Sequence, residues 1–218
     1  EDSSSEAHHC TIIGHISMVT DLQVLPIGEN PNNSLIVTCD RDEKVRLTRA
    51  DFPERIHSFA LGHTEFVGSL TVCAATRSIY SAGGDKFIAE WSLEGPSNEP
   101  SQLNLRLKSK IQLNTVDGAV VQEIKINEKG DRLLVHVDQV GLFLYTKSSS
   151  DDWTLKAEVS IQTGITAIDF DKSGESFYYA SWSPSEGFKI TFMETSLSFS
   201  EDSFDKFSAE SGQEMISL

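Results

Sequence analysis

The chain has 218 residues, 39% of them hydrophobic and 23% charged, which supports a folded core and argues against a disordered polymer. Eighteen Lys and Arg stand against 33 Asp and Glu, a formal charge of -15 that argues against a protein gripping nucleic acid with its own surface. No apolar run approaches the roughly 18 residues of a membrane-spanning helix. The opening EDSSSEAHHC lacks a signal-peptide pattern, and three widely spaced cysteines (Cys10, Cys39, Cys73) predict a reducing compartment rather than a disulfide framework.

Taken in chain order, the first segments are HHC at 8–10 and a short strand, CTII, at 10–13. Three adjacent ligand types without a second cluster make a weak zinc pattern, and an extended segment is the simpler reading. A repeat then begins. GHISMVTDLQVLP from Gly14 recurs as GHTEFVGSLTVCA from Gly62, 48 residues later. After each Gly-His come an alternating strand, a loop, a second strand ending in an Asp turn (LIVT before Asp42, SIYSA before Asp85), and a third strand (KVRLT, FIAEW). RIHSFAL supplies a fourth strand in the first unit, and GENPNN (28–33) and EGPSNEP (94–100) are dense in turn formers.

Weaker copies follow without the Gly-His. Strands are predicted at 120–127, 132–137, 141–146 and 153–161, then at 165–170, 176–182 and 188–193, with EKGD and DKSG as hairpin turns. First strands aligned on Val19, Val67, Val121 and Ile165 lie 48, 54 and 44 residues apart. Four short strands per unit at this period predict an all-β WD-repeat β-propeller of four-stranded antiparallel blades, about four of them visible. The units fall near 14–61, 62–115, 116–161 and 162–195, within a propeller region 1–195. Residues 196–218 read either as a polar acidic tail or as an irregular last-blade segment.

The candidate chemistry is structural before it is catalytic. His63 is expected to bond within its blade to Asp85 and Ser81, with Trp91 closing the set; His15 and Asp42 form the matching pair in the first unit, with Thr48 in place of the Trp. No strand–turn–helix elbow seats a nucleophile, and SAGGD is a strand-to-strand turn rather than a phosphate cradle. The NNS at 32–34 is formally a glycosylation sequon, without weight here. No catalytic or metal residue is assigned, and the chain is expected not to be an enzyme.

One stretch exceeds what a turn needs. CDRDEKVRL places six charged side chains among residues 40–46, between segments that belong to core strands. Alternation puts Val45 and Leu47 on one face and Lys44 and Arg46 on the other. Charge on a half-buried strand needs a counterpart. Asp40, Asp42 and Glu43 are candidates from within, and carboxylates of a partner are candidates from outside. The turn is expected to share one end of its blade with GHISM, with GHTEF beside them.

GHISMVTDLQV, TCDRDEKVRL and FALGHTEFVGSL together resemble the WD-repeat subunit of the eukaryotic tRNA (guanine-N7-)-methyltransferase, over roughly residues 10 to 92. The resemblance implies a seven-bladed propeller without catalytic activity; since seven blades of about 40–50 residues exceed this length, either the chain supplies part of a larger ring, the favoured expectation, or its first and last strands join into one blade of a smaller one. It implies a scaffold that binds and stabilises a separate catalytic subunit, as a heterodimer. That partner uses S-adenosylmethionine to form N7-methylguanosine in the tRNA variable loop. This chain would then hold no cofactor, meet tRNA mainly through the partner and work in the nucleus, with the cytoplasm as a second compartment. Partner contact falls on Arg41, Glu43, Lys44 and Arg46, the acids of the turn orienting Lys44 and Arg46 beforehand. A generic WD scaffold of another nuclear or cytoplasmic complex is the alternative, and an enzyme built on a propeller is the rival from another class.

Overall fold

The structure is a computed structural model that describes residues 13–28, 33–96, 99–113, 118–161, 164–185 and 187–195. The HHC segment, Cys10, most of the strand expected at 10–13 and the tail 196–218 lie outside the described residues. Ile13 itself is in no strand. The chain divides into two compact units, residues 1–112 and 113–218.

The first unit holds two four-stranded antiparallel sheets. One is β1 (Val19–Pro26), β2 (Ser34–Asp40), β3 (Val45–Arg49) and β4 (Ile56–Ala60), and the other is β5 (Val67–Cys73), β6 (Ser78–Gly83), β7 (Phe87–Glu94) and β8 (Asn104–Gln112). In both, strands pair in sequence order, so each connection is a local hairpin. The second unit repeats the pattern with β9 (Val121–Ile126), β10 (Arg132–Val137), β11 (Gly141–Lys147) and β12 (Trp153–Ser160). Its last sheet has three strands among the described residues: β13 (Gly164–Phe170), β14 (Ser176–Ser183) and β15 (Gly187–Glu194). No α-helix occurs among the described residues; Pro100–Gln102 forms a 3-10 turn.

Burial explains why the second strands read as nearly continuous apolar or small runs rather than as clean alternation. Every residue of β2 and of β6 is buried, each strand lying inside its sheet with a hydrogen-bonded neighbour on either side. Leu25, Leu35, Val37, Val45 and Leu47 of the first sheet pack with Val67, Leu70, Ile79, Ala89 and Trp91 of the second in one cluster. In the second unit, Leu134, Leu142, Leu144 and Val159 pack with Ile168, Phe177, Tyr179 and Met193.

The first strand of every sheet carries a bulge at the same place. The register shifts between Val19 and Asp21, between Val67 and Ser69, opposite His136 and Val137 in β9, and between Ile165 and Ala167. A bulge turns the strand and increases its twist. The carboxylate just past the bulge reaches the neighbouring sheet in both units. Asp21 Oδ2 accepts the Leu70 N–H at 2.7 Å, and Glu123 Oε2 accepts the Ile168 N–H at 3.0 Å. Sequence repetition did not flag either carboxylate.

The turns at 127–131 and 171–175 use Asx chemistry. Asn127 Oδ1 accepts the amides of Asp131 and Arg132, and Asp171 accepts those of Ser173 and Ser176. Gly130 and Gly174 supply the left-handed residue of each turn, at φ 76° and 70°.

Candidate functional site

The turn between β2 and β3 begins at Asp40, which is 5% exposed. Its Oδ1 accepts the Asp42 N–H at 2.9 Å and lies 3.4 Å from the Lys44 amide nitrogen, so one carboxylate oxygen holds the turn. Glu43 takes the left-handed conformation, φ 67°, that closes it. The other oxygen, Oδ2, lies 3.0 Å from His15 Nδ1, and His15 Nε2 lies 2.8 Å from Thr38 Oγ1.

This corrects the expected pairing of His15 with Asp42. By strand register Asp42 does match Asp85, yet it accepts from Ser17 Oγ at 2.9 Å instead. The reason lies two residues upstream. The position of Asp40 is occupied in the second sheet by Gly83, where a Cβ would stand 2.1 Å from the Phe66 carbonyl oxygen. With no carboxylate there, His63 must use Asp85. In the first sheet the nearer acid takes the histidine, which frees Asp42 for the loop.

The His63 network is complete. Nδ1 lies 2.6 Å from Asp85 Oδ2, Nε2 lies 2.7 Å from Ser81 Oγ, and Trp91 Nε1–H donates to the same Ser81 Oγ at 2.8 Å. Since Ser81 accepts from Trp91, its own hydroxyl proton is available to His63 Nε2, which makes Nδ1 the protonated nitrogen. Burial pushes the His63 imidazole below its ordinary value, more than Asp85 raises it. Burial also pushes Asp85 up, but hydrogen bonds from Thr64 and His63 outweigh it and hold the carboxyl low. A neutral, fully bonded histidine stacked on Phe87 (5.2 Å between ring centres) is a structural strut.

The four residues of the turn itself, Arg41, Asp42, Glu43 and Lys44, are exposed. The backbone ties them to the Gly-His loop: the Arg41 N–H donates to the Met18 carbonyl at 3.2 Å, as the Gly84 N–H does to Phe66 at 3.0 Å. The two loops lie at the same end of neighbouring sheets, and Thr20 Oγ1–H donates to the Val67 carbonyl at 2.5 Å between them. The side chains of Arg41, Glu43 and Lys44 make no hydrogen bond or ion pair among the described residues.

Arg46 departs from the expectation of a basic pair held by the acids of the turn. It is 8% exposed, its Nη1 donates to the Gly14 carbonyl at 2.7 Å and its Nε donates to Thr48 Oγ1 at 3.2 Å. Asp40 is already taken by His15 and the turn amides, so it does not reach the guanidinium. Arg46 therefore anchors the segment leading into His15, while Lys44 stands in solvent. Cross-strand, Arg46 lies between Thr38 and Phe59.

No group of three or more His, Cys, Asp or Glu suited to a metal occurs among the described residues. No helix among them is long and apolar enough to cross a membrane. Cys39 and Cys73 are buried and form no disulfide among the described residues, and burial pushes the Cys39 thiol up to about 12.

Comparison with known proteins places this geometry. The family model described as the tRNA methyltransferase TRM82 WD40 domain matches residues 1–186. A tRNA (guanine-N(7)-)-methyltransferase non-catalytic subunit trm82 of Aspergillus clavatus is 34% identical over 187 residues, covering 80% of this chain and 35% of that protein. The non-catalytic subunit wdr4 of Xenopus laevis is 31% identical over 170 residues, 77% of this chain and 41% of that protein. The subunit wuho of Drosophila ananassae is 30% identical over 158 residues, 72% and 36% respectively. The chain thus spans between 35% and 41% of the length of these curated relatives. With its antiparallel sheets, paired Gly-His struts and matching sequence, the chain belongs to the TRM82 WD40 family, an all-β WD-repeat fold whose curated members here are named non-catalytic subunits of tRNA (guanine-N7-)-methyltransferase.

Proposed function

We propose that this chain is a non-catalytic scaffold that binds and stabilises the catalytic subunit of a tRNA (guanine-N7-)-methyltransferase, as one half of a heterodimer. The observation that carries the reading is the Arg41–Lys44 turn. Its backbone is fixed by Asp40 and the Gly-His loop, while the side chains of Arg41, Glu43 and Lys44 project without partners among the described residues. A rigid backbone loses little freedom on docking, so its charges are free to orient a partner. Lys44 and Arg41 meet carboxylates of the catalytic subunit and Glu43 a basic group. Arg46 supports the site from behind, through Gly14 and Thr48.

In this reading the methyl-transfer chemistry belongs to the partner. S-adenosylmethionine binds there, and N7-methylguanosine forms in the variable loop of a tRNA held mainly by that subunit. A net charge of -15 suits a scaffold that leaves the RNA to a basic partner. The complex is nuclear, with the cytoplasm as a second compartment.

Co-expression with the catalytic subunit tests the proposal. The wild-type chain should co-purify with it and raise tRNA guanosine methylation, and the double reversal Arg41→Glu with Lys44→Glu should abolish both while leaving the melting temperature unchanged. Unaltered methylation and co-purification by the reversed chain would indicate a scaffold that works through another surface, and failure of the wild-type chain to co-purify would indicate a WD scaffold of another complex.

A further inference from the structure

The charged turn has an apolar companion that the interface reading above does not use. Ile16 is fully exposed and Met18 is 60% exposed, although both lie in a loop pinned at several points. Ser17, between them, is bonded to Asp42; His15, before them, is bonded to Asp40 and Thr38; the Met18 carbonyl accepts the Arg41 N–H. Leu61 leaves β4 at this same end, next to Ala60, which pairs with Val45 at the start of β3; it is 67% exposed. The apolar side chains are thus held outward by a built scaffold, where a mobile loop could fold them against the sheet.

Resting on the proposed heterodimer, we infer that Ile16 and Met18 are the apolar anchors of the partner interface, inserting into an apolar socket on the catalytic subunit whose edge carries carboxylates for Arg41 and Lys44. Interfaces concentrate their energy in such buried anchors, while surrounding charges set encounter rate and register. RNA fits this surface less well. A phosphate backbone satisfies Arg41 and Lys44 but is repelled by Asp42 and Glu43, and it offers nothing to cover Ile16 and Met18.

Calorimetric titration of the full chain into the catalytic subunit, with tRNA binding to the assembled complex followed separately, tests this. Ile16→Asp and Met18→Asp should each weaken subunit binding by about tenfold or more, with unchanged melting temperature since both side chains face solvent. Ile16→Leu and Met18→Leu should retain wild-type affinity, which a general disturbance of the loop would not allow. Wild-type affinity in both Asp variants would overturn the anchor assignment and leave the heterodimer standing. Loss of tRNA binding with intact subunit affinity would overturn it in favour of an RNA contact. Absence of binding by the wild-type chain would bring down the heterodimer and the anchors together.

Discussion

His15 bonds Asp40, not Asp42, and this makes one carboxylate responsible for both the strut and the turn of the first sheet. Every feature of the charged stretch follows from that sharing. Because Asp40 is committed inward, Asp42 is released to Ser17, Arg46 turns to Gly14 and Thr48, and the remaining charges are left to solvent.

Asp40 and Asp42 should therefore differ sharply on substitution. Asp40→Ala strands the turn amide of Asp42 and removes the His15 partner, a loss of about 2 kcal/mol. Asp42→Ala removes an exposed bond to Ser17 and should stay within about 0.5 kcal/mol. Urea denaturation of the two variants measures the contrast, and equal losses would refute the assignment.

Arg46 and Lys44 should separate in the same way. Arg46→Ala gives up two charge-assisted bonds to Gly14 and Thr48 and should cost about 1.5–3 kcal/mol of fold stability. Lys44→Ala should leave the melting temperature essentially unchanged, since its side chain is exposed and makes no hydrogen bond or ion pair among the described residues. A scanning thermal melt distinguishes them, and it matters practically: binding defects of Arg46 variants mix fold and interface, whereas those of Lys44 variants do not.

The links between sheets should act through a backbone amide. Asp21→Ala leaves the Leu70 N–H without its acceptor and Glu123→Ala does the same to Ile168. Each should cost about 1–3 kcal/mol. Hydrogen exchange at the Leu70 and Ile168 amides should accelerate in the respective variant, and protection equal to wild type would show that another acceptor holds them.

Acid should weaken the fold through His63. Its folded value lies below the ordinary 6.5, so as pH falls through 6.5 the unfolded chain takes up a proton that the buried imidazole refuses, and stability declines. His136, also lowered by burial, adds in the same direction. Asp85, held low, contributes stability above the ordinary carboxyl range that is lost only at much lower pH. Between about pH 8 and about pH 5.5 each histidine can remove at most about 1.4 kcal/mol. Denaturant titrations at the two pH values should show a smaller loss in His63→Asn than in wild type, with His136 supplying the remainder.

The strands were legible because alternation, turn residues and the order of Gly-His, two strands and an Asp turn repeat with little interference. The His63–Asp85–Ser81–Trp91 set was legible for the same reason: each member sits at the repeat's own position. The first unit misled at one residue, since aligning the repeats puts Asp42 opposite Asp85 while the acid at position 40 stands where the copy has Gly83. That mismatch, an acid where the second copy has a glycine, was the available signal. Arg46 was misread because alternation fixes the face of a side chain and not which backbone carbonyl it meets. Asp21 and Glu123 were invisible because a bulge, which no residue pattern marked, decides where they point. Ile16 and Met18 are ordinary apolar residues in sequence, and only their exposure on a pinned loop sets them apart.

The most direct measurement is the association rate of the full chain with the catalytic methyltransferase subunit, for wild type and for Lys44→Glu, across a range of ionic strength. A partner interface at this turn should give an association rate that falls with salt, and at low salt a charge-reversed variant slower by about tenfold with little difference at high salt. No binding, or an association rate that ignores both salt and the charge at position 44, would contradict a partner interface at this turn.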